Sequence, residues 1–256
     1  MAADLSRFSL EGKTALVIGG TSGIGKAIAR GYLESGARVV IAGRSADKLA
    51  GALAELGPLG TLSGFDADVS DAAGLRGLVG SALAQLGHLD VLVNCQGVTV
   101  IKPAEDFSEA DWSTVVDTDL KSVFFACTEV GRHMLGRGSG AIVNIASLAS
   151  HRGWPGSALY ALSKAGVLSL TRSLASEWIP RGVRVNAISP GFFMTELNRD
   201  KMSAQRKALA LARTPAGRFG EVDELVGAAI YLASPAAGFV TGESIAVDGG
   251  YLAAGI

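Results

Sequence analysis

The sequence has few of the residues that form disulfides or hold metals. It contains two cysteines and three histidines among 256 residues. Cys95 and Cys127 each lie inside an apolar run, and two thiols are too few for a disulfide framework or a four-ligand zinc site. Because His88, His133 and His151 are scattered along the chain, we expect no metal site. Reduced thiols in apolar segments are typical of cytoplasmic proteins, so the sequence predicts a cytoplasmic location.

Excess charge and long apolar segments are also missing. The formal net charge is −1, and we expect no nucleic-acid partner because polyanion binding requires a basic surface. No apolar stretch reaches the roughly 18 residues that span a bilayer. Residues 1–11 lack the apolar core of a leader peptide. We therefore expect neither a membrane partner nor a targeting segment.

No proline-rich or serine-rich linker, charge run or repeat divides the chain. We therefore predict a single domain over residues 1–256. One stretch, residues 192–218, interrupts the regular pattern after Pro190-Gly191. Because it is too long for a simple connection, we predict that it is a lid over a substrate site.

Short β-branched runs alternate with longer helical segments. The predicted strands are residues 14–18, 38–42, 91–94, 141–145, 184–188 and 244–247. The predicted helices are residues 26–35, 46–56, 74–86, 111–135 and 161–179. The strand segments are almost continuously apolar, which indicates a sheet covered on both faces. The pattern predicts an α/β fold of the Rossmann type, a doubly wound parallel sheet flanked by helices on both faces.

A glycine-rich turn follows the first predicted strand. Glycines let backbone N–H groups approach a pyrophosphate, and a helix N-terminus adds unsatisfied donors and a partial positive charge. A purely structural turn is the alternative, but the position at the first strand–helix junction favours a ligand site. We therefore predict dinucleotide binding by Gly19, Thr21, Ser22, Gly23, Ile24 and Gly25.

The end of the second predicted strand distinguishes the two nicotinamide dinucleotides. An acidic residue there would bind a free ribose and repel a 2′-phosphate, whereas this chain has Gly43-Arg44-Ser45. Arg44 offers a planar fork to a phosphate and Ser45 offers a further donor, so NADP(H) is favoured, with NAD(H) as the alternative. Arg44 as an ordinary solvated residue is the competing interpretation. Further along, Asp68 and Val69 are predicted to meet the adenine, with helix capping as the other role for the aspartate.

Tyr160 and Lys164 lie four residues apart at the start of a predicted helix, so they share one face. A free phenol, with an ordinary pKa of about 10, is a poor base at neutral pH. A positive charge about 4 Å away contributes about 4 kcal/mol at an effective dielectric near 20, which favours the phenolate and general acid–base catalysis. Ser147 and the Pro190-Gly191 pair follow the next two predicted strands. All of these residues should therefore meet at the carboxyl edge of the sheet.

Together these motifs resemble the short-chain dehydrogenase/reductase family over nearly the whole chain, from residue 12 to residue 250. Several independent motifs agree in order and spacing, which makes the combination highly specific. They are the glycine turn, the segment from Asn94 to Gly97, Ser147 thirteen residues before Tyr160, Lys164, and Pro190-Gly191.

The resemblance implies an enzyme that interconverts an alcohol and a ketone with a nicotinamide cofactor. Tyr160 would be the general acid/base, Ser147 would polarise the carbonyl, and Lys164 would activate the tyrosine and bind the nicotinamide ribose. Thr195 would contact the carboxamide beyond Pro190-Gly191, and Asn94 and Gly97 would belong to the cofactor site. The resemblance also implies a homotetramer formed through the two longest helices and the C-terminal strand.

The chain departs from the family pattern near the proposed catalytic residues. The family's fourth catalytic position is an asparagine that shapes its helix and holds a water in the proton relay, and here it is Asp119. A buried carboxylate is costly unless it is hydrogen-bonded or protonated, so we expect activity with an altered pH profile. Ile18 replaces a threonine, and Cys95-Gln96 replaces Asn-Ala. Gln96 either compensates for the missing amide or lines the cofactor cleft.

By overall likeness within the family, the chain is most similar to sugar-acid and polyol dehydrogenases, the group that includes gluconate 5-dehydrogenase. The alternatives are a 3-oxoacyl-(acyl-carrier-protein) reductase and, because of Asp119, a non-catalytic cofactor-binding sensor or assembly subunit. An enoyl reductase is disfavoured because that branch spaces its tyrosine and lysine more widely. Basic side chains near the predicted pocket favour an anionic or polyhydroxylated substrate, or they simply face water. They are His151, Arg152, Arg199, Lys201, Arg206 and Lys207.

Overall fold

The computed structural model describes residues 5–195 and 202–254. Its central feature is one seven-stranded sheet with the strand order β3-β2-β1-β4-β5-β6-β7, in which all neighbouring strands are parallel. The strands are β1 (Thr14–Ile18), β2 (Arg38–Gly43), β3 (Leu62–Asp66), β4 (Val91–Asn94), β5 (Gly140–Ile145), β6 (Val183–Pro190) and β7 (Ser244–Val247). The predicted bounds of β1, β4 and β7 are those observed, and the other three predicted strands differ by one or two residues at their ends.

Helices cover both faces of the sheet. They are α1 (Gly23–Glu34), α2 (Ala46–Leu56), α3 (Ala72–Leu86), α4 (Glu109–Val116), α5 (Ser122–Arg137), α6 (Ala158–Trp178), α7 (Ala204–Ala212) and α8 (Val226–Ala233). One apolar layer joins α3, α5 and α6 to the sheet, and the other joins α1, α2 and α8. This arrangement confirms the predicted doubly wound fold. Within the part of the chain that the structure describes, none of the helices has the length and apolarity needed to cross a membrane.

Strand β1 shows why the central strands are continuous apolar runs. Leu16 and Ile18 pack into the layer of α3, α5 and α6, whereas Ala15 and Val17 pack into the opposite layer. All four side chains are buried. Because successive side chains in a strand point to opposite faces, a sheet with helices on both faces requires an apolar residue at every position.

The predicted helix over residues 111–135 is interrupted, which corrects the sequence-based expectation. A π-helical turn, Asp117–Lys121, separates α4 from α5. Ser122 donates its backbone N–H to the Asp117 carbonyl, and its hydroxyl donates to the Thr118 carbonyl at 2.5 Å. The Thr118 carbonyl is the normal α-helical partner of the Ser122 N–H, and here it accepts from the Ser122 hydroxyl instead. The Ser122 N–H therefore bonds to the carbonyl one residue earlier, that of Asp117. Such local turns frequently mark functional sites.

The strand order reverses between β1 and β4. The chain runs from β1 outward to β2 and β3, and then returns to place β4 on the other side of β1. Ligands of doubly wound sheets bind in the crevice at the carboxyl ends of the strands, at this switch point. The loops that follow β1, β4, β5 and β6 all lie at this edge.

Candidate active site

A cleft of about 520 Å³ lies at the carboxyl edge of the sheet, next to the switch point. Its walls include the loops after the strands from β1 to β6 and the start of α6. Ser147 lines it, as do all of the predicted cofactor residues except Asn94. These are Gly19, Thr21, Ser22, Gly23, Ile24, Gly25, Arg44, Ser45, Asp68, Val69, Gly97, Tyr160, Lys164, Pro190, Gly191 and Thr195.

The glycine-rich turn brings the N-terminus of α1 to the wall of the cleft. A Cβ on Gly25 would lie 2.2 Å from the carbonyl oxygen of Gly19, so a side chain there would collide with the turn itself. Gly19 has a φ of 78°, a conformation that favours glycine. Ser22 caps α1 without a side-chain hydrogen bond, so its side chain does not occupy the N–H groups at the helix N-terminus that can bind an anion. The turn therefore fits a pyrophosphate.

A basic end of the cleft follows β2. Arg44 is exposed at this end, and Ser45 caps α2 by accepting a hydrogen bond from the Lys48 backbone N–H at 3.3 Å. The Ser45 hydroxyl keeps its proton to donate. Lys48 also lines the cleft, although it was not among the predicted cofactor residues. Its place in the first turn of the helix that follows Arg44-Ser45 was the available signal.

Asp68 and Val69 lie on the wall after β3. The Asp68 carboxylate accepts hydrogen bonds from the Ser70 backbone N–H at 3.0 Å and the Ser70 hydroxyl at 2.7 Å. These bonds, with a smaller contribution from the charge of Arg44, lower the pKa of Asp68. The alternative capping role is wrong, because Asp71 caps α3 by accepting from the Gly74 N–H at 2.8 Å. The adenine contact stays a prediction.

Ser147, Tyr160 and Lys164 converge in the cleft. Ser147 lies just beyond β5, and its Oγ accepts a hydrogen bond from the Ala149 N–H at 3.2 Å. Tyr160 and Lys164 share one face of α6, with the Lys164 Nζ 5.9 Å from the centre of the tyrosine ring. The same Nζ donates to the Ile145 carbonyl at 3.1 Å. Since Ile145 ends β5, this bond fastens α6 to the strand that carries Ser147.

Asp119 lies against Lys164 but does not line the cleft. Its fully buried carboxylate places Oδ2 3.6 Å from the Lys164 Nζ, and Oδ1 accepts a hydrogen bond from the Val98 N–H at 2.7 Å. Burial raises the pKa of Asp119 and outweighs the opposing charge of Lys164. Burial is the largest influence on the pKa of Lys164 and lowers it, but the charges of Asp119, Tyr160 and Cys95 together outweigh burial, so the net shift is upward. The carboxylate therefore helps to keep the lysine protonated.

Gly97 leaves room for this ion pair. A Cβ at position 97 would lie 3.2 Å from Oδ2 of Asp119 and 3.4 Å from Nζ of Lys164. The first distance is tighter than an ordinary van der Waals contact, and the second is at the close limit of one. The glycine therefore supplies space beside the charged pair as well as a place on the wall of the cleft.

Asn94 and Gln96 have different surroundings. The Asn94 Nδ2 donates to Asn144 Oδ1 at 2.9 Å and to Cys127 Sγ at 3.3 Å, so this buried side chain joins β4 to β5 instead of lining the cleft. Gln96 does line the cleft, and its Nε2 donates to the Ser122 Oγ at 2.9 Å. Gln96 thereby links the wall of the cleft to the π-helical turn. The sequence pattern alone did not distinguish these two environments.

The predicted lid, residues 192–218, contributes to the cleft through its described parts. Phe192, Phe193, Thr195, Met202 and Arg206 line it. Helix α7 forms inside the segment, and Phe193 pairs with Gly220 in an isolated bridge. Residues 196–201, which include the predicted substrate residues Arg199 and Lys201, lie outside the described residues.

Comparisons with known proteins agree with this geometry. A family model described as Enoyl-(Acyl carrier protein) reductase matches residues 19–252. Gluconate 5-dehydrogenase of Gluconobacter oxydans is 40% identical over 254 residues, covering 95% of this chain and 96% of that protein. The chain belongs to the short-chain dehydrogenase/reductase family. The family resemblance drawn from the motifs is therefore confirmed.

Two further members of the short-chain dehydrogenase/reductase family bear on the branch. D-threitol dehydrogenase of Mycolicibacterium smegmatis is 41% identical over 245 residues, covering 95% of this chain and 94% of that protein. A crystal structure of a gluconate 5-dehydrogenase from Burkholderia cenocepacia in complex with NADP and tartrate has a TM-score of 0.93 and 39% identity, covering 98% of this chain and 99% of that one. The likeness to sugar-acid and polyol dehydrogenases is confirmed.

Proposed function

We propose that this protein is an NADP(H)-dependent oxidoreductase that interconverts a secondary alcohol and a ketone on a sugar acid, a polyol or a related hydroxylated small molecule. The observation that carries the proposal is the convergence of Ser147, Tyr160 and Lys164 in the cleft that holds the glycine-rich turn. Similarity to gluconate 5-dehydrogenase and D-threitol dehydrogenase supports the substrate class.

The bound cofactor supplies or accepts a hydride, and the side chains of the chain handle the proton. Ser147 accepts a hydrogen bond from the Ala149 N–H, so its own hydroxyl proton stays available to the substrate oxygen. Tyr160 gives a proton to that oxygen during reduction and takes it back during oxidation. Lys164 stabilises the negative charge that develops on the tyrosine oxygen, and this charge acts strongly because the lysine is buried. Asp119 positions Lys164 through the ion pair between its Oδ2 and the Lys164 Nζ.

Several residues support NADP(H) over NAD(H). Arg44, Ser45 and Lys48 line the end of the cleft that follows β2, where two cations and a hydroxyl fit a 2′-phosphate. Gly43 keeps this position free of an acidic side chain. The NADP complex of the related Burkholderia enzyme supports the same choice.

Thr195 packs next to the glycine-rich turn, since a Cβ on Gly23 would lie 3.6 Å from its methyl carbon.

Assembly and location form the second part of the proposal. We expect a homotetramer through α5 and α6, the longest helices described, together with β7. Large apolar side chains on the helix surfaces support this arrangement, and Phe239 before β7 is fully exposed. On α4, α5 and α6 the exposed large apolar residues are Trp112, Phe124, Phe125 and Leu162. Both cysteines are free thiols, which supports the cytoplasmic location.

The decisive experiment measures oxidation of NADPH and NADH with keto-sugar acids, ketoses and 3-oxoacyl thioesters. We expect turnover of a hydroxylated ketone with NADPH, and we expect Tyr160→Phe to abolish this turnover while cofactor binding persists. Preference for the thioester would instead favour the 3-oxoacyl-(acyl-carrier-protein) reductase. Tight NADPH binding without turnover of any substrate would favour the non-catalytic sensor or assembly subunit.

A further inference from the structure

The structure separates the basic side chains that the sequence placed near the substrate. His151 Nε2 is paired with Ser189 Oγ at 3.0 Å, and the exposed Arg152 donates to the Leu252 carbonyl at 3.3 Å. Neither lines the cleft, and neither does Lys207. Among the described basic residues of this group, Arg206 alone lines the cleft.

The charges along the cleft give Arg206 a distinct position. The charged side chains that line it, among the described residues, are Arg44, Lys48, Asp68, Lys164 and Arg206. The first three follow β2 and β3, at the end assigned to the cofactor. Lys164 is bonded to the Ile145 carbonyl and paired with Asp119. Among the residues that the structure describes, Arg206 is therefore the charge that remains for the substrate.

Packing holds the Arg206 guanidinium in place. Its central carbon lies 5.7 Å from the centre of the Trp154 ring, and that ring stacks on Phe192 at 5.3 Å with an angle of 5° between the planes. One guanidinium nitrogen donates to the Ser157 Oγ at 3.3 Å. No carboxylate of the described residues forms an ion pair with Arg206. A stacked arginine keeps the in-plane N–H groups that bind a carboxylate.

Ser157 relates Arg206 to the catalytic tyrosine. Ser157 is the N-cap residue of α6, and Tyr160 lies three residues further along the same helix. Residues at this spacing lie on one face, about 4.5 Å apart along the axis. The guanidinium that binds Ser157 is therefore placed about one helical turn from the tyrosine, at the lid side of the cleft.

We propose that Arg206 is a specificity-determining residue that binds the carboxylate of a sugar-acid substrate, so that the enzyme prefers a sugar acid to the neutral polyol of the same length. This inference rests on the proposed oxidoreductase function and narrows its substrate class. Trp154 supports the arginine from one side, and Ser157 ties it to the helix that carries Tyr160. Removal of the positive charge weakens the binding of the acid and leaves a neutral polyol unaffected.

The test uses Arg206→Gln and Arg206→Lys, with Arg213→Gln as the matched control, because Arg213 is an exposed arginine at the end of the same helix. Calorimetry with the NADPH-loaded protein, in which the reduced cofactor cannot oxidise an alcohol, measures binding of D-gluconate and of its neutral counterpart D-glucitol. We expect Arg206→Gln to weaken gluconate binding about 10- to 100-fold, Arg206→Lys to weaken it less, and Arg213→Gln to leave it unchanged. In turnover, the same loss appears in KM and not in kcat.

Equal gluconate binding by wild type and Arg206→Gln, an equal loss for gluconate and glucitol, or no gluconate binding to the wild type overturns the inference. Because binding is measured without turnover, the two proposals fail separately. If Arg206-dependent gluconate binding occurs but Tyr160-dependent turnover does not, the Arg206 site stands and the proposed function fails. Thermal unfolding of each variant checks that the fold is intact.

Discussion

Replacing Asp119 with asparagine removes one buried charge and keeps the shape of the side chain. In the wild type, the carboxylate lies 3.6 Å from the Lys164 Nζ. Burial lowers the pKa of that lysine, and the charge of Asp119 is the largest of the interactions that raise it. In Asp119→Asn the pKa of Lys164 is set by burial, which lowers it, and by the weaker interactions that are left. Lys164 therefore loses its proton at a lower pH than in the wild type.

The distance between the two groups bounds the size of the change. Two unit charges 3.6 Å apart interact with about 5 kcal/mol at an effective dielectric near 20. The Ile145 carbonyl still accepts a hydrogen bond from Lys164 at 3.1 Å and opposes the loss of the proton. We therefore expect the pKa of Lys164 to fall in Asp119→Asn, by less than this Coulomb energy alone would allow.

The assay is kcat/KM as a function of pH with the best substrate. Since catalysis requires a cationic Lys164, the alkaline limb of the Asp119→Asn profile moves to lower pH. On the acidic side, burial raises the pKa of Asp119, so the wild type loses the ion pair as the pH falls through this raised value. We therefore expect an acidic limb in the wild-type pH profile that Asp119→Asn lacks.

Asp117→Asn is the matched control for this experiment. Asp117 lies in the same π-helical turn, its side chain is 35% exposed, and it pairs with Lys121 at 3.4 Å. The control removes the same charge from the surface, where screening makes an ion pair weak, so its profile should follow that of the wild type. Superimposable alkaline limbs for Asp119→Asn and the wild type would refute the reasoning, as would an equal shift in the control.

Two further predictions concern the cofactor end and the π-helical turn. Arg44→Ala should raise KM for NADPH about tenfold and leave KM for NADH unchanged; an equal rise for both cofactors in steady-state kinetics would contradict a contact with the 2′-phosphate. Ser122→Ala should lower the free energy of unfolding by about 1–3 kcal/mol, since the Thr118 carbonyl and the Gln96 amide lose their partner. Urea unfolding measures this loss, and the exposed Ser113→Ala on α4 should show no change.

The periodicity of the sequence predicted most of the fold, because burial on both faces leaves a direct pattern. All five residues of β1 are buried, and continuous apolar runs of this kind also located the other central strands. The catalytic residues could also be located, since Ser147 follows a strand and Tyr160 and Lys164 share a helix face. Parallel strands bring such positions to one edge.

Contacts between elements could not be predicted in the same way. The π-helical turn depends on the Ser122 hydroxyl and on its bond to Gln96. The core environment of Asn94 depends on its partner in the next strand, Asn144. Arg206 was one of several basic residues until its stacking on Trp154 set it apart. Each of these features is a side-chain interaction across the fold, and periodicity reports only which face of an element is buried.

The two oxygens of Asp119 have separate tasks, and this separation has a consequence for how the enzyme can evolve. Oδ1 holds the loop after β4 through the Val98 N–H, whereas Oδ2 faces Lys164. An asparagine, the family's usual residue, can keep the first contact through its amide oxygen and change only the second. We therefore expect exchange between the two residues to move the pH dependence of the enzyme in a single step, while the contact with the Val98 N–H is kept.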